Sequence, residues 1–299
     1  MAEKKNSELP SIQSLFQDSW ELFKQTWTTY LKLVGFGIAF LFLGALIGLL
    51  ISLPVSFIAV GAHFQVFRHL TPFHIATLVL LGFWVVFYLL SIIAMGVLFP
   101  IAGIFILQRK KASLIELLKQ AKQFFWPYFL TMLLAGFLAF GGMILLVIPG
   151  IVIGIFFVFT SYEVVLEKQS GISALARSYF MVKNDFWQIL GRVLLLEVCI
   201  WIVTSVLGHI IGRGLLLGLV QLVFSILLSW YLRAYIFLLY NQVRERTTFP
   251  QHISLRWVWI VSAIGWGIVI LLFVSFGFGF MHLPWGQQNH IHGNLNGAA

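Results

Sequence analysis

Between Leu31 and Phe280, long apolar stretches alternate with short segments that hold most of the Lys and Arg residues. That alternation constrains the chain more than any single motif. A run of about 18 or more apolar residues with few charges reads as a membrane crossing, because about 20 helical residues match a hydrocarbon core roughly 30 Å thick. Only 10% of the 299 residues are charged and the mean hydropathy is +0.97, so the expected class is an all-α, polytopic helical membrane protein. The formal charge of +9 does not point to nucleic acid, because the basic residues flank apolar spans rather than forming a patch interleaved with aromatics. They read as orientation signals and as contacts to anionic headgroups.

The first span is expected over Leu31–Leu53, ending at Pro54. A second lies inside Phe73–Leu107, long enough to require tilting, a kink at Pro100 or extension beyond the bilayer. The stretch Pro127–Leu166 is too long for one crossing, and Pro149 followed by Gly150 supplies a chain reversal, giving a tight helical hairpin. Its second arm, Ile151–Leu166, has 16 residues, so a re-entrant hairpin that stops short of crossing is the competing arrangement. Further spans are expected over Phe186–Ile211, Leu215–Tyr240 and Trp257–Phe280. Seven crossings are expected, with six as the alternative. Residues 1–30 form a cytoplasmic segment with an amphipathic helix and are not expected to act as a cleaved signal. Residues 31–281 form the membrane domain, and residues 282–299 a flexible tail.

Orientation follows from the loops. The segment through Lys32 and the loops at 108–126, 167–185 and 241–256 carry 15 of the 19 basic residues, and the opposite face carries Arg68 and Arg213. The N-terminus is therefore expected to be cytoplasmic, in the inner membrane of a bacterium. Three of these segments share a weak repeat, with Leu15, Leu114 and Leu175 each preceding a Trp by 12 residues, at Trp27, Trp126 and Trp187. Each reads as an amphipathic helix in the headgroup plane, with the Trp at the turn into the span. The first presents Ile12, Leu15, Phe16, Trp20, Phe23 and Trp27 on one face. The second presents Leu114, Leu117, Leu118, Ala121, Phe124 and Phe125, with Ser113 and Glu116 at capping-box spacing. The third presents Ile172, Leu175, Ala176, Tyr179, Val182 and Phe186, with Arg177 and Lys183 turned away. These helices read first as anchors, and second as elements that sense lipid or dock a protein partner at the cytoplasmic face.

The stretches Ile148-Pro149-Gly150-Ile151, Val164-Val165-Leu166-Glu167, Gly171 through Tyr179 and Val182 through Trp187 resemble the membrane domain of bacterial glycerophosphodiester phosphodiesterases. They are similar also to free-standing membrane proteins built on that domain. The resemblance covers about 40 residues closely and the rest in layout. It implies a helical membrane module marked by Pro149, Gly150, Glu167, Arg177, Ser178 and Trp187. In those phosphodiesterases hydrolysis belongs to a separate soluble domain, which these residues are not expected to include, so the catalytic activity is not carried over.

Ionisable residues at membrane depth cost about 2.5 to 3.5 kcal/mol each, so they pair or line a cavity. Glu163, Arg192, Glu197 and Arg233 are the candidates, with pairs Glu163–Arg192 and Glu197–Arg233 expected; the shallow Glu163 and Arg192 read first as snorkelling to the interface, and the deeper two as a salt bridge or a polar site facing a conduit. No catalytic, cofactor-binding or metal-ligating residue is assigned. His63, His69, His74, His209 and His282 are placed on the outer side, and His290 and His292 read as a solvated tail rather than a metal site. Cys199 reads as a small buried hydrophobe. Gly44 with Gly48, Gly150 with Gly154, Gly208 with Gly212 and Gly214 with Gly218 have GxxxG spacing, read first as close contacts within the monomer and second as dimerisation faces. The expected function is that of a non-catalytic membrane module acting in envelope organisation, lipid interaction or partner docking. The competing reading is a transporter component for a small solute or lipid, and a membrane-embedded lipid hydrolase ranks third.

Overall fold

The computed structural model describes residues 11–61, 72–108, 113–211, 215–250 and 253–281, and among these it is helical throughout, with no strand. The elements in chain order are α1 (Ile12–Gly61), α2 (Pro72–Leu107), α3 (Leu114–Gln123), α4 (Phe125–Leu145) and α5 (Val147–Phe156). They continue with α6 (Thr160–Leu166), α7 (Ile172–Asn184), α8 (Phe186–Ile211), α9 (Leu215–Arg246) and α10 (Arg256–Met281). Among the described residues seven stretches are long and apolar enough to cross a membrane, with Val147–Leu166 (α5 plus α6) counted as one. The chain is a multi-span helical membrane protein.

At 1.5 Å per residue the 50 residues of α1 extend about 75 Å, well beyond one hydrocarbon core. The expected N-terminal amphipathic helix and the first span are therefore one rod. Its buried stripe runs through Leu15, Ser19, Leu22, Thr26, Tyr30 and Leu33 at three- and four-residue spacing, whereas Trp20 and Trp27 are exposed. The expected apolar face is thus rotated. Ser19 and Thr26 can be buried because their hydroxyls donate to the Leu15 and Leu22 carbonyls at 2.6 and 2.7 Å. This stripe faces α9, where Tyr30 stacks on Trp230 at 3.9 Å and the Trp230 indole donates to Thr26 Oγ1 at 3.0 Å. Further along, α1 lies against α2 through glycines. A Cβ at Gly44 would meet the Tyr88 ring at 2.6 Å, and one at Gly48 would collide with Trp84. The Tyr88 hydroxyl donates to the Leu41 carbonyl at 3.0 Å.

The second long apolar run is a single helix, α2, with Pro100 inside it. The hairpin that follows reverses at Leu146, whose extended backbone (φ −159°, ψ 146°) separates α4 from α5. Pro149 and Gly150 are not the turn. Pro149 occupies the third position of α5, where a backbone N–H has no helical partner, and the first helical bond comes from the Gly150 N–H to the Leu146 carbonyl. Gly150 lets α5 approach α4, since a Cβ there would reach backbone atoms of Met143 at 2.7 Å. α4 also holds α10: the Ser262 hydroxyl donates to the Leu138 carbonyl at 2.7 Å, and Trp266 stacks on Phe137 at 4.6 Å.

α3 begins with the expected capping box, the Glu116 N–H donating to Ser113 Oγ and the Ser113 N–H to the Glu116 carboxylate. It buries Leu117 and Ala121. α7 buries Leu175, Ala176, Tyr179 and Val182 of its expected face and also Ala174, Ser178 and Met181, whereas Ile172 is exposed. Cys199 is also corrected. It is exposed on α8, a face left to the surroundings rather than to another helix.

A large share of the buried residues, among them Ile101 to Leu107, Leu117, Phe159, Val164, Leu175, Tyr235 and Tyr240, lie where the spans meet the basic loops. The opposite halves of α1 and α2 leave Phe42, Phe83 and Phe87 about two-thirds exposed or more. In hydrocarbon, apolar side chains gain little by facing each other instead of lipid. At the water-facing end burial is favoured by about 25 cal/mol per Å² of apolar surface, and there the helices close together.

Candidate functional site

Two polar arrangements stand out, one at the basic end and one deeper between α2, α4, α6 and α9. The first starts from a break in the hairpin's second arm. Between α5 and α6, Phe157–Phe159 leave the α-helical path, and Ser178 of α7 bridges the gap. Its hydroxyl donates to the Phe156 carbonyl at 2.8 Å and accepts from the Phe159 N–H at 3.2 Å. Buried backbone groups left out of the helical ladder require such a partner.

α6 ends at Glu167, and Lys168 follows with a left-handed backbone (φ 56°), so that the Gln169 N–H reaches back to the Glu163 carbonyl at 3.1 Å. Gly171, with φ 59°, then donates its N–H to Thr131 Oγ1 of α4 at 2.7 Å, which fixes where α7 begins. This turn places Arg177, one helical turn into α7, against Glu163 and Glu167, which sit one turn apart on α6. Glu163 is fully buried. Arg177 Nε lies 2.7 Å from its Oε2, an ion contact without hydrogen-bond alignment, and the Tyr240 hydroxyl donates to its Oε1 at 3.1 Å. Glu167 Oε2 takes Arg244 Nη2 at 3.1 Å and Arg177 Nη2 at 3.6 Å. The Phe249 ring lies beside both guanidinium groups, at 4.1 Å from Arg177 and 5.0 Å from Arg244. Two carboxylates and two guanidiniums make the cluster neutral.

The expected Glu163–Arg192 pair is therefore replaced. Glu163 meets Arg177, and Arg192 is buried within electrostatic reach of Tyr235. Arg177, expected to face away from the apolar side of α7, turns instead to Glu163. The expected Glu197–Arg233 pair does not form either: among the described residues no ion pair within 4 Å joins them, and Glu197 is exposed on α8. Of the six residues marked by the family resemblance, Glu167, Arg177 and Ser178 meet in or beside the cluster. Pro149 and Gly150 shape the arm leading to it, and Trp187 is 79% exposed at the start of α8. Tyr240, Arg244 and Phe249 were missed. The available signals were Glu163 and Glu167 four residues apart, and Tyr240 and Arg244 at the same spacing, each putting two polar groups on one face.

Arg233 forms the second arrangement. It sits 11 residues before Arg244 on α9, about 16 Å along the axis. It lines two cavities. One, of about 250 Å³, is lined by Gly103, Tyr128, Ser161 and Tyr162 among others, and the Tyr162 hydroxyl donates to the Arg233 carbonyl at 3.2 Å. The other, of about 370 Å³, runs between α1 and α2 past Val34, Ile38, Leu41, Met95 and Phe99. Among the described residues Arg233 belongs to no ion pair.

The chain matches no family model, no curated protein and no solved structure. The site must be argued on its own geometry. Among the described residues no three His, Cys, Asp or Glu side chains gather as metal ligands. Of the histidines placed on the outer side, His209 has a described side chain, with Nδ1 3.0 Å from the Ser205 carbonyl. His290 and His292 lie outside the described residues.

Proposed function

We propose that this chain is a non-catalytic membrane module that interacts with lipid, serving envelope organisation or the docking of a partner at the cytoplasmic face. It belongs, in this reading, to the inner membrane of a bacterium, with its N-terminus in the cytoplasm, and shares its architecture with the membrane domain of glycerophosphodiester phosphodiesterases. The observation that supports it best is the state of Glu163, the one fully buried carboxylate among the described residues: it is held by Arg177 and Tyr240 inside a neutral cluster, which makes it a fastening between α6, α7 and α9 rather than a proton-transfer group. Trp126 and Trp187, 65% and 79% exposed, suit the headgroup depth beside the basic loops.

The test is reconstitution of the full chain in phospholipid vesicles. The expected result is stable insertion that survives carbonate extraction, with no turnover of the phospholipid. Hydrolysis of lipid by the purified chain overturns the proposal. A second reading, a permease component, draws on the interrupted arm α5–α6 beside the Arg233 cavities, since transporters build sites from broken helices near the midplane. Efflux of an entrapped solute that is lost in Arg233→Leu vesicles would favour it.

A further inference from the structure

We propose that Arg233 and its two cavities bind an anionic phospholipid, with the phosphate at the guanidinium and one acyl chain between α1 and α2. This rests on the lipid-interaction reading and names its ligand class. A guanidinium presents five N–H donors in a planar fork that matches phosphate oxygens, and Arg233 spends none of them on a carboxylate among the described residues. Its own carbonyl is already taken by the Tyr162 hydroxyl. Tyr128 and Ser161 bring further hydroxyls to the same cavity, so the donors converge where a headgroup would sit.

The adjoining cavity has the opposite character. Val34, Ile38, Leu41, Ile92, Met95 and Phe99 make its walls apolar, and Ile38 and Ile92 are exposed, so it adjoins the lipid-facing surface. At about 370 Å³ it falls within the usual size of ligand pockets, about 300 to 1,000 Å³. Pro100, which lines both cavities, has no N–H to give the Gly96 carbonyl, and Gly96 lies along the same wall. The Glu163 cluster offers no comparable site, because its charges compensate one another.

The experiment is native mass spectrometry of the full chain in detergent, titrated with phosphatidic acid or phosphatidylcholine. Phosphatidic acid should bind at least tenfold more tightly. Arg233→Leu should remove that preference, Arg233→Lys should keep part of it, and Ile38→Trp, at a surface position, should weaken phosphatidic acid binding by narrowing the chain channel. Inorganic phosphate at millimolar concentration should not displace the lipid; full displacement would mean a free-phosphate site and overturn the proposal. Equal binding of the two lipids, or an unchanged preference in Arg233→Leu, overturns it as well. If Arg233→Leu fails to fold, Arg233→Lys and Ile38→Trp still decide the matter. These failures leave the membrane reading standing, because carbonate extraction and lipid turnover test it separately.

Discussion

Glu163 is the residue on which the basic end depends. A buried carboxylate deprived of its cation is an uncompensated charge, and breaking such a pair from one side costs about 3 to 5 kcal/mol. Arg177→Met is expected to destabilise the protein by that amount, read as thermal unfolding in detergent. Adding Glu163→Gln should recover much of the loss, because the amide needs no counter-ion; strictly additive losses would show that the two residues do not interact. Tyr240→Phe removes one hydrogen bond to the same carboxylate and should cost about 1.5 to 3 kcal/mol in that assay. Sequence reasoning singled out Glu163, which the structure buries. It assigned the wrong partner, because Arg192 and Arg177 both follow at plausible distances along the chain and only the reversal at Lys168 and Gly171 chooses between them.

At the scale of elements, the interrupted arm α5–α6 shows how two misleading signals combine. Pro149-Gly150 reads as a turn, yet Pro149 lies in the first turn of a helix and Gly150 in a contact with α4. Pro149→Ala should therefore change stability by less than about 0.5 kcal/mol, since no hydrogen bond is gained or lost at that position. Gly150→Leu, by contrast, should push α5 off α4 and cost about 1 to 3 kcal/mol through overpacking. Equal effects of the two variants in thermal unfolding would contradict this assignment. The real interruption, at Phe157–Phe159, has neither Pro nor Gly to announce it. It depends on Ser178 from another helix, and Ser178→Ala should cost about 1 to 3 kcal/mol by leaving a buried carbonyl and N–H unmatched. The capping box of α3 was legible because both of its groups lie within four residues of each other.

For the whole molecule, the distribution of Lys and Arg predicts that all the amphipathic segments share one aqueous side. With Cys199→Ser as background, Lys119→Cys and Lys183→Cys should both react with an impermeant maleimide from the cytoplasmic side and from that side alone; labelling from opposite sides would break the proposed layout.

The number of long apolar helices, the all-α class and the crowding of charge toward one end follow from composition along the chain, because transfer of about 20 apolar residues into hydrocarbon is a local matter that needs no partner. Which face of α1 is buried, where the hairpin turns, and which cation meets Glu163 were decided by tertiary structure. A Ser or Thr can enter a helix interface by bonding its own helix, a Gly is read as a turn or a contact only when its neighbour is known, and an ion pair between α6 and α7 exists only once a left-handed turn has brought the two helices side by side.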